Sequence, residues 1–377
     1  MWGHRRVYLD RASGVAGNPS SAHEEGRRAR ATLEKARRDI ARVCEVQADD
    51  VIFTSGATES NALAVLGIPR ALRARGQASL HVLYLPGAHA SITENVRVLQ
   101  GEDVAVEPLP IRGGRVDIEA LGQMVRKETV LVAMEAVCGE TGVVWNTREV
   151  RHVLDAARSA LGAPRIWLHV DASQAPLTEK ITRDHFGADT LTLDGSKVGE
   201  MRGIGVFIAH RTIPIEPLYK GGGQERGLRP GTESPELARG FATALTAATL
   251  RRESFRTTAF RNREVLMGVI REAVPEVVVH GGHRQAPHIL NLSFPGRDTD
   301  YLVALLDEAG FAVSTRSACE TDSGEGSRAV FALTGDREEA QTTLRVSWGE
   351  GVGARDLMRF ARALERAVAF IDNKGHR

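Results

Sequence analysis

The sequence predicts an α/β protein whose main sheet is mostly parallel and flanked by helices, with a smaller α+β domain beyond it. Short apolar runs rich in β-branched residues, at 51–53, 81–85, 130–134, 166–170, 190–193 and 204–209, have the length of buried strands. Between most of them lie amphipathic stretches such as 118–127 and 147–160. This alternation builds a parallel sheet, and such sheets gather ligands at the carboxyl ends of their strands. Past residue 234 the pattern changes. One long helical stretch carries Leu250, Phe260 and Val269, followed by strands at 289–294 and 344–348 and a closing helix at 354–371. The chain divides near residue 245, giving a large domain at 12–245 and a small one made of 1–11 and 246–377.

Ahead of the first strand, residues 27–42 mix arginines with Glu34 and Asp39, and place Ala29, Leu33, Ala36, Ile40 and Val43 at helical spacing. That pattern reads as the solvated face of an amphipathic helix rather than a nucleic-acid site. Cys44, between Val43 and Val46, falls at its apolar end and reads as core.

The first strand runs into Thr54-Ser55-Gly56-Ala57-Thr58-Glu59-Ser60-Asn61 and then the helical Ala62, Leu63, Val65 and Leu66. A Gly-Ala-Thr turn that opens a helix offers backbone N–H groups and a hydroxyl to an anion, with the helix dipole adding to the attraction. The same residues would also serve as a simple capping box.

Two later strands end on chemistry: 166–170 runs into Asp171-Ala172-Ser173-Gln174, and 190–193 into Asp194-Gly195-Ser196-Lys197. An acid and a lysine 26 residues apart, at the ends of two strands, can face each other across one pocket. That pairing suits pyridoxal phosphate, whose aldehyde a lysine carries as a Schiff base while a carboxylate keeps the pyridine nitrogen protonated. A surface lysine and a helix-capping aspartate would have the same spacing.

Composition narrows the partners. Among 377 residues, 49 basic and 48 acidic side chains leave a net charge of +1, too little field to hold nucleic acid or an anionic membrane. No run approaches the ~18 apolar residues of a membrane span, and the opening Met1-Trp2-Gly3-His4-Arg5-Arg6 is no apolar signal segment. Cys44, Cys138 and Cys319 are too few for a disulfide framework and form no Cys-x-x-Cys metal knuckle, which favours a reducing cytoplasm. Cys319 stands in the polar, glycine-containing stretch Ser317-Ala318-Cys319-Glu320-Thr321-Asp322-Ser323-Gly324-Glu325-Gly326-Ser327. A thiol on such a loop has the access that reactive cysteines need.

Taken in order, a series of motifs carries a resemblance: Tyr8-Leu9-Asp10, Gly17-Asn18-Pro19-Ser20-Ser21-Ala22-His23, the stretch 53–60, His169 to Gln174, Gly221-Gly222-Gly223-Gln224-Glu225-Arg226-Gly227-Leu228-Arg229-Pro230-Gly231-Thr232-Glu233, Ser317-Ala318-Cys319 and Leu344-Arg345. Across nearly its whole length the chain resembles the cysteine desulfurases, pyridoxal-phosphate enzymes of the class V aminotransferase group. The resemblance implies the fold type I architecture, with a seven-stranded, mostly parallel sheet in the cofactor-binding domain and the catalytic cysteine loop in the small one. It implies that Lys197 holds the cofactor, that Asp171 pairs with the pyridine nitrogen, that Gln174 meets the phenolic oxygen, and that His89 stacks on the ring and relays protons. Thr58 and the Gly56-Ala57 backbone would bind the phosphate, with Ser196 donating where the family has a histidine. Thr232 of the partner subunit would complete that cup, which implies a homodimer. Arg345 would clamp the carboxylate of L-cysteine, and Cys319 would take its sulfur as a persulfide, releasing L-alanine. The sulfur would go to an acceptor protein, an iron–sulfur scaffold or a tRNA-thiolation acceptor.

The chain departs from that family in four places. Only 11–16 join Asp10 to Gly17, so an N-terminal helix is missing. The family's Asn-Asn-Glu reads Cys138-Gly139-Glu140, with Cys138 expected as a space filler beside the pocket. Glu200-Met201-Arg202-Gly203 replaces Gly-Pro-Lys-Gly, and Asp194 replaces a serine that contacts the phosphate. A carboxylate there must turn away, pair with a neighbour such as Arg202, or weaken cofactor binding. Two other readings stay open beside the desulfurase: a selenocysteine lyase or other class V pyridoxal enzyme, and an inactive desulfurase-like sulfur carrier or interaction scaffold.

Overall fold

His23 opens the first helix, α1 (Glu24–Cys44), by accepting the Gly26 N–H on its ring, while Glu24 and Glu25 bring negative charge to the positive end of the dipole. The computed structural model describes residues 6–14, 17–315 and 326–375; Cys319 lies outside them. The short connection ahead of α1 is tied down locally. Asp10 accepts from Ser13 and Ser21 and faces His23 Nε2 at 2.9 Å, and Arg6 forks onto Glu25. These described residues of the first segment thus bond to the start of α1. On α1 itself, Ala29, Leu33, Ala36 and Ile40 form the buried stripe that the spacing predicts and Cys44 is core as expected, while Val43 is only partly buried. Burial pushes the Cys44 thiol up to about 12, so it is an inert core residue. One arginine breaks the solvated-face expectation: Arg37 is buried, held by a long-range partner that helical periodicity does not reveal.

The first half of the chain alternates as expected: β1 (Val51–Thr54), α2 (Ala57–Val65), α3 (Gly67–Ala74), β2 (His81–Tyr84), α4 (Ala90–Gly101), β3 (Ala105–Pro108), the small hairpin β4 (Ile111–Arg112) and β5 (Arg115–Val116), α5 (Ile118–Met124), β6 (Thr129–Glu135), α6 (Thr147–Leu161), β7 (Trp167–Asp171), α7 (Arg183–Phe186), β8 (Thr190–Asp194) and β9 (Gly205–Ala209). Seven of these strands form one sheet in the order β1-β9-β8-β7-β6-β2-β3. From β3 to β8 the neighbours are parallel, while β9 runs antiparallel to both β8 and β1. The direction of β9 follows from its connection, because the short turn from β8 leaves no room for a crossover helix. Strand β3 escaped the sequence reading: it is an edge strand, half exposed and ended by a proline, without an apolar run.

The helix α8 (Pro235–Ala273) starts with proline in its first turn and joins two cores. Leu245 packs with the large sheet, whereas Leu266 and Ile270 pack with Leu290, Leu344 and Phe360 of the second unit. That unit holds the antiparallel sheet β10 (Val278–His280), β11 (Ile289–Ser293) and β12 (Thr343–Ser347), with α9 (Thr299–Glu308), α10 (Arg328–Thr334), α11 (Arg337–Gln341) and α12 (Ala354–Gly375). Ala329 of α10 packs into the core of the large sheet and against Gly87, just past the end of β2, where an added Cβ would stand 3.1 Å from the Ala329 Cα. Among the described residues no helix is long and apolar enough to cross a membrane.

Candidate active site

Strand β7 delivers Asp171 to the sheet edge with its side chain almost fully buried, and a buried amide fixes its direction. Asn61 of α2 donates to Asp171 Oδ2 at 2.6 Å, and Ser173 N–H donates to Oδ1 at 2.9 Å. The Asn61 carbonyl faces His169 Nε2 at 2.9 Å, and His169 Nδ1 lies 2.9 Å from Thr190 Oγ1. Burial holds His169 down at about 3, so its ring is neutral. With Asn61 accepting, Nε2 carries the hydrogen and Nδ1 accepts from Thr190. Asn61 Nδ2 also reaches Ser91 Oγ at 2.8 Å, and that hydroxyl stands 2.8 Å from His89 Nδ1. A single chain of hydrogen bonds therefore links Asp171 to His89. The sequence reading missed Asn61 and Ser91 as positioning residues; a polar amide on the wholly buried face of α2 was the available signal.

Asp171 opens on a cavity of ≈ 320 Å³, the size of a small-ligand site. Lys197, His89, Ala57, Thr58, Gln174, Ser196 and Arg345 all line it. Lys197 follows from the one-turn 3-10 helix Gly195–Lys197 at the end of β8. His89 caps α4 by accepting the Ser91 N–H, so the bland capping role and a place in the cavity coexist. Arg345 arrives from β12 of the second unit and donates to Gly139 O at 3.3 Å. Its backbone also pairs with Ser314, while Ser327 Oγ donates to Glu140 at 2.6 Å. Ser314 and Ser327, on either side of the stretch that holds Cys319, are thus bonded to Arg345 and Glu140, which line this cavity.

Glu135, the register partner of Asp171 on β6, is a further residue that sequence reasoning did not single out. It is buried, lines the cavity, and its Oε1 has no hydrogen-bond partner among the described residues. Burial, reinforced by the Asp171 charge, raises its carboxyl well above the ordinary range. Cys138 packs beside it, and burial also raises that thiol, which fits a space filler rather than a thiolate. Gly139 is small for a reason: a Cβ there would stand 2.8 Å from Gln174 Nε2. Gln174 occupies room that a larger residue at 139 would take.

Of the alternatives open to Asp194, the structure shows a pairing with neighbours other than Arg202. Its Oδ2 accepts the Ala57 N–H at 2.8 Å, and its Oδ1 accepts Ser196 N–H at 2.8 Å and Ser196 Oγ at 2.6 Å. The carboxylate turns into the first turn of α2 because that turn has unpaired N–H groups and no side-chain cap of its own.

Thr232 is exposed and does not line this cavity. It follows a turn in which Glu225 (φ 46°) and Arg226 (φ 61°) adopt left-handed backbone, a cost of about 1–3 kcal/mol each. What holds the turn is the buried Glu225 carboxylate, which accepts from Arg37 at 2.6 and 2.8 Å and from Phe53 N–H at 2.8 Å.

Lys197, Asp171, Gln174 and His89 in one cavity, with Ser173 Oγ and Glu135 Oε1 buried there without partners, fit a small aromatic aldehyde with polar substituents. The family model described as aminotransferase class-V matches residues 7–357. Cysteine desulfurase IscS 1 of Archaeoglobus fulgidus is 31% identical over 356 residues, covering 93% of this chain and 90% of its own. Among solved structures, a NifS-like protein aligns with TM-score 0.84 and 26% identity over 94% of this chain and 92% of its own. DndA from Streptomyces lividans aligns with TM-score 0.74 and 31% identity, over 90% and 92%.

Proposed function

The chain belongs to the aminotransferase class-V family, and from that premise we propose how its residues divide the work of a pyridoxal-phosphate-dependent cysteine desulfurase. L-cysteine enters, and L-alanine and a transferable sulfur atom leave. The observation that carries the assignment is the meeting of Asp171 from β7, Lys197 from the end of β8 and Arg345 from β12 in one cavity.

When bound, pyridoxal phosphate supplies an aldehyde that captures an amine and a ring that withdraws electrons from the adjoining carbon. Lys197 Nζ would hold the aldehyde, and the same amine, when free, would take the substrate's α-proton. Asp171, oriented by Asn61, would set a negative charge against the pyridine nitrogen. Gln174 would meet the phenolic oxygen, and His89 would stack on the ring. Thr58 would serve the phosphate, joined by Ala57 N–H and Ser196 where Asp194 gives them up, and by Thr232 of the partner subunit. The Arg345 fork suits the substrate carboxylate. Cys319 attacks the substrate sulfur as a thiolate: an S–S bond forms as the C–S bond breaks, and the C–S electron pair stays on carbon, which takes up a proton. The persulfide on Cys319 then passes to an acceptor protein.

The exposure of Thr232 away from its own cavity supports a homodimer. The single buried thiols Cys44 and Cys138 suit a reducing cytoplasm, and an iron–sulfur scaffold or a tRNA-thiolation acceptor would receive the sulfur. On this reading residues 12–245 bind the cofactor, and the C-terminal unit from 246 onward carries Arg345 and Cys319 to it. Incubation with L-cysteine tests the assignment. One alanine per sulfur transferred is expected from the native protein and none from Lys197→Ala; undiminished release from that variant would refute it.

A further inference from the structure

The cavity is bordered by the starts of two helices. His89 caps α4, whereas α2 begins at Gly56 with no side-chain cap of its own, so the start of α2 is where an anionic group of a cavity ligand finds free N–H donors. One of those donors, Ala57 N–H, is already taken, together with two from the turn after β8. Asp194 holds Ala57 N–H, Ser196 N–H and Ser196 Oγ with its two oxygens, and Glu59 accepts the Ser55 N–H at 2.5 Å on the same turn. The fit is close: Gly56 has φ +151°, and a Cβ there would stand 3.1 Å from Asp194 Oδ2. A carboxylate is a planar monoanion with two acceptor atoms, and here it satisfies donors that a phosphate would otherwise bridge. A phosphate that enters beside it meets a like charge and finds Ala57 N–H and Ser196 already spent; a phosphate that displaces it must first break three hydrogen bonds.

Resting on the pyridoxal-phosphate reading above, we propose that Asp194 is an internal anion that occupies the phosphate cup and competes with the cofactor's phosphate, making it the residue that sets cofactor affinity. The ring and aldehyde still bind through Lys197, Asp171 and Gln174, so the competition falls on the phosphate alone. Replacement by serine removes the charge and leaves a hydroxyl donor; replacement by asparagine keeps the shape and one acceptor for Ala57 N–H.

The test is a titration of cofactor-free protein with pyridoxal phosphate and, separately, with pyridoxal, which lacks the phosphate. Native, Asp194→Ser and Asp194→Asn proteins are compared by visible absorbance. Pyridoxal phosphate is expected to bind both variants about ten-fold more tightly than the native protein, with pyridoxal affinity unchanged. Inorganic phosphate should raise the melting temperature of the cofactor-free Asp194→Ser protein and leave the native one unmoved. Asparagine guards against a folding defect, since it preserves the link to α2. Equal or weaker binding of pyridoxal phosphate by both variants would overturn the proposal. Mapping the borohydride-fixed adduct separates the two claims: an adduct on Lys197 with unchanged affinities defeats only the role of Asp194, whereas no adduct on Lys197 in any of the proteins defeats the cofactor reading itself.

Discussion

Asn61 and Asp171 lie 110 residues apart in sequence yet share a 2.6 Å hydrogen bond beneath the cavity floor. Because the same amide accepts from His169 and reaches Ser91, the carboxylate's direction is set by a network that is itself fully buried. Asn61→Leu should strand Asp171 and His169 and cost about 1–3 kcal/mol for each unpaired buried group. A lower melting temperature and a weaker visible cofactor band are both expected. A native cofactor spectrum in this variant would remove Asn61 from the positioning role.

Glu135 gives a pH signature. Its folded carboxyl titrates well above the ordinary value of 4.5, because burial and the neighbouring Asp171 disfavour the charged form. The folded state therefore holds a proton that the unfolded chain has released. The stabilising contribution is complete below the ordinary carboxylate pKa and is lost as pH rises toward the raised one, at about 1.4 kcal/mol per unit of difference. Denaturant titrations from acid to mildly alkaline pH should show Glu135→Gln losing less stability than the native protein over that interval. Parallel curves would contradict a raised Glu135.

The Arg37–Glu225 pair predicts a structural weak point. The Glu225 side chain is fully buried, and removing Arg37 leaves that charge without its counter-ion, at a cost of about 3–5 kcal/mol, whereas removing Glu225 leaves Arg37 only the more exposed Glu34 at 3.2 Å. Glu225→Ala also releases the left-handed turn that leads to Thr232, so sedimentation should show a shift toward monomer together with the stability loss measured by denaturation. Loss of stability with an intact dimer would separate the turn from assembly.

Cys319 separates chemistry from cofactor binding. Cys319→Ala should keep the visible cofactor band and lose alanine release from L-cysteine, because nothing remains to accept the sulfur. Retained turnover would reassign the sulfur acceptor.

Much of this was legible before the structure. Alternating apolar runs gave the sheet, and Asp171 and Lys197 stood out because strand ends are where such sheets do chemistry. Edge strand β3 was hidden, since half-exposed residues ended by a proline carry no period. Asn61, Ser91 and Glu135 were hidden for another reason: each matters through a partner distant in sequence. Asp194 was visible as a departure, but its partner was not, because the attraction of an uncapped helix start is a property of the assembled fold rather than of neighbouring residues.

Borohydride reduction of the purified protein in the presence of pyridoxal phosphate, followed by mass mapping of its peptides, tests the central assignment most directly. The expected result is a pyridoxyl group on Lys197, and its loss when L-cysteine is added before reduction. A pyridoxyl group fixed on a different lysine, or on none, would contradict it.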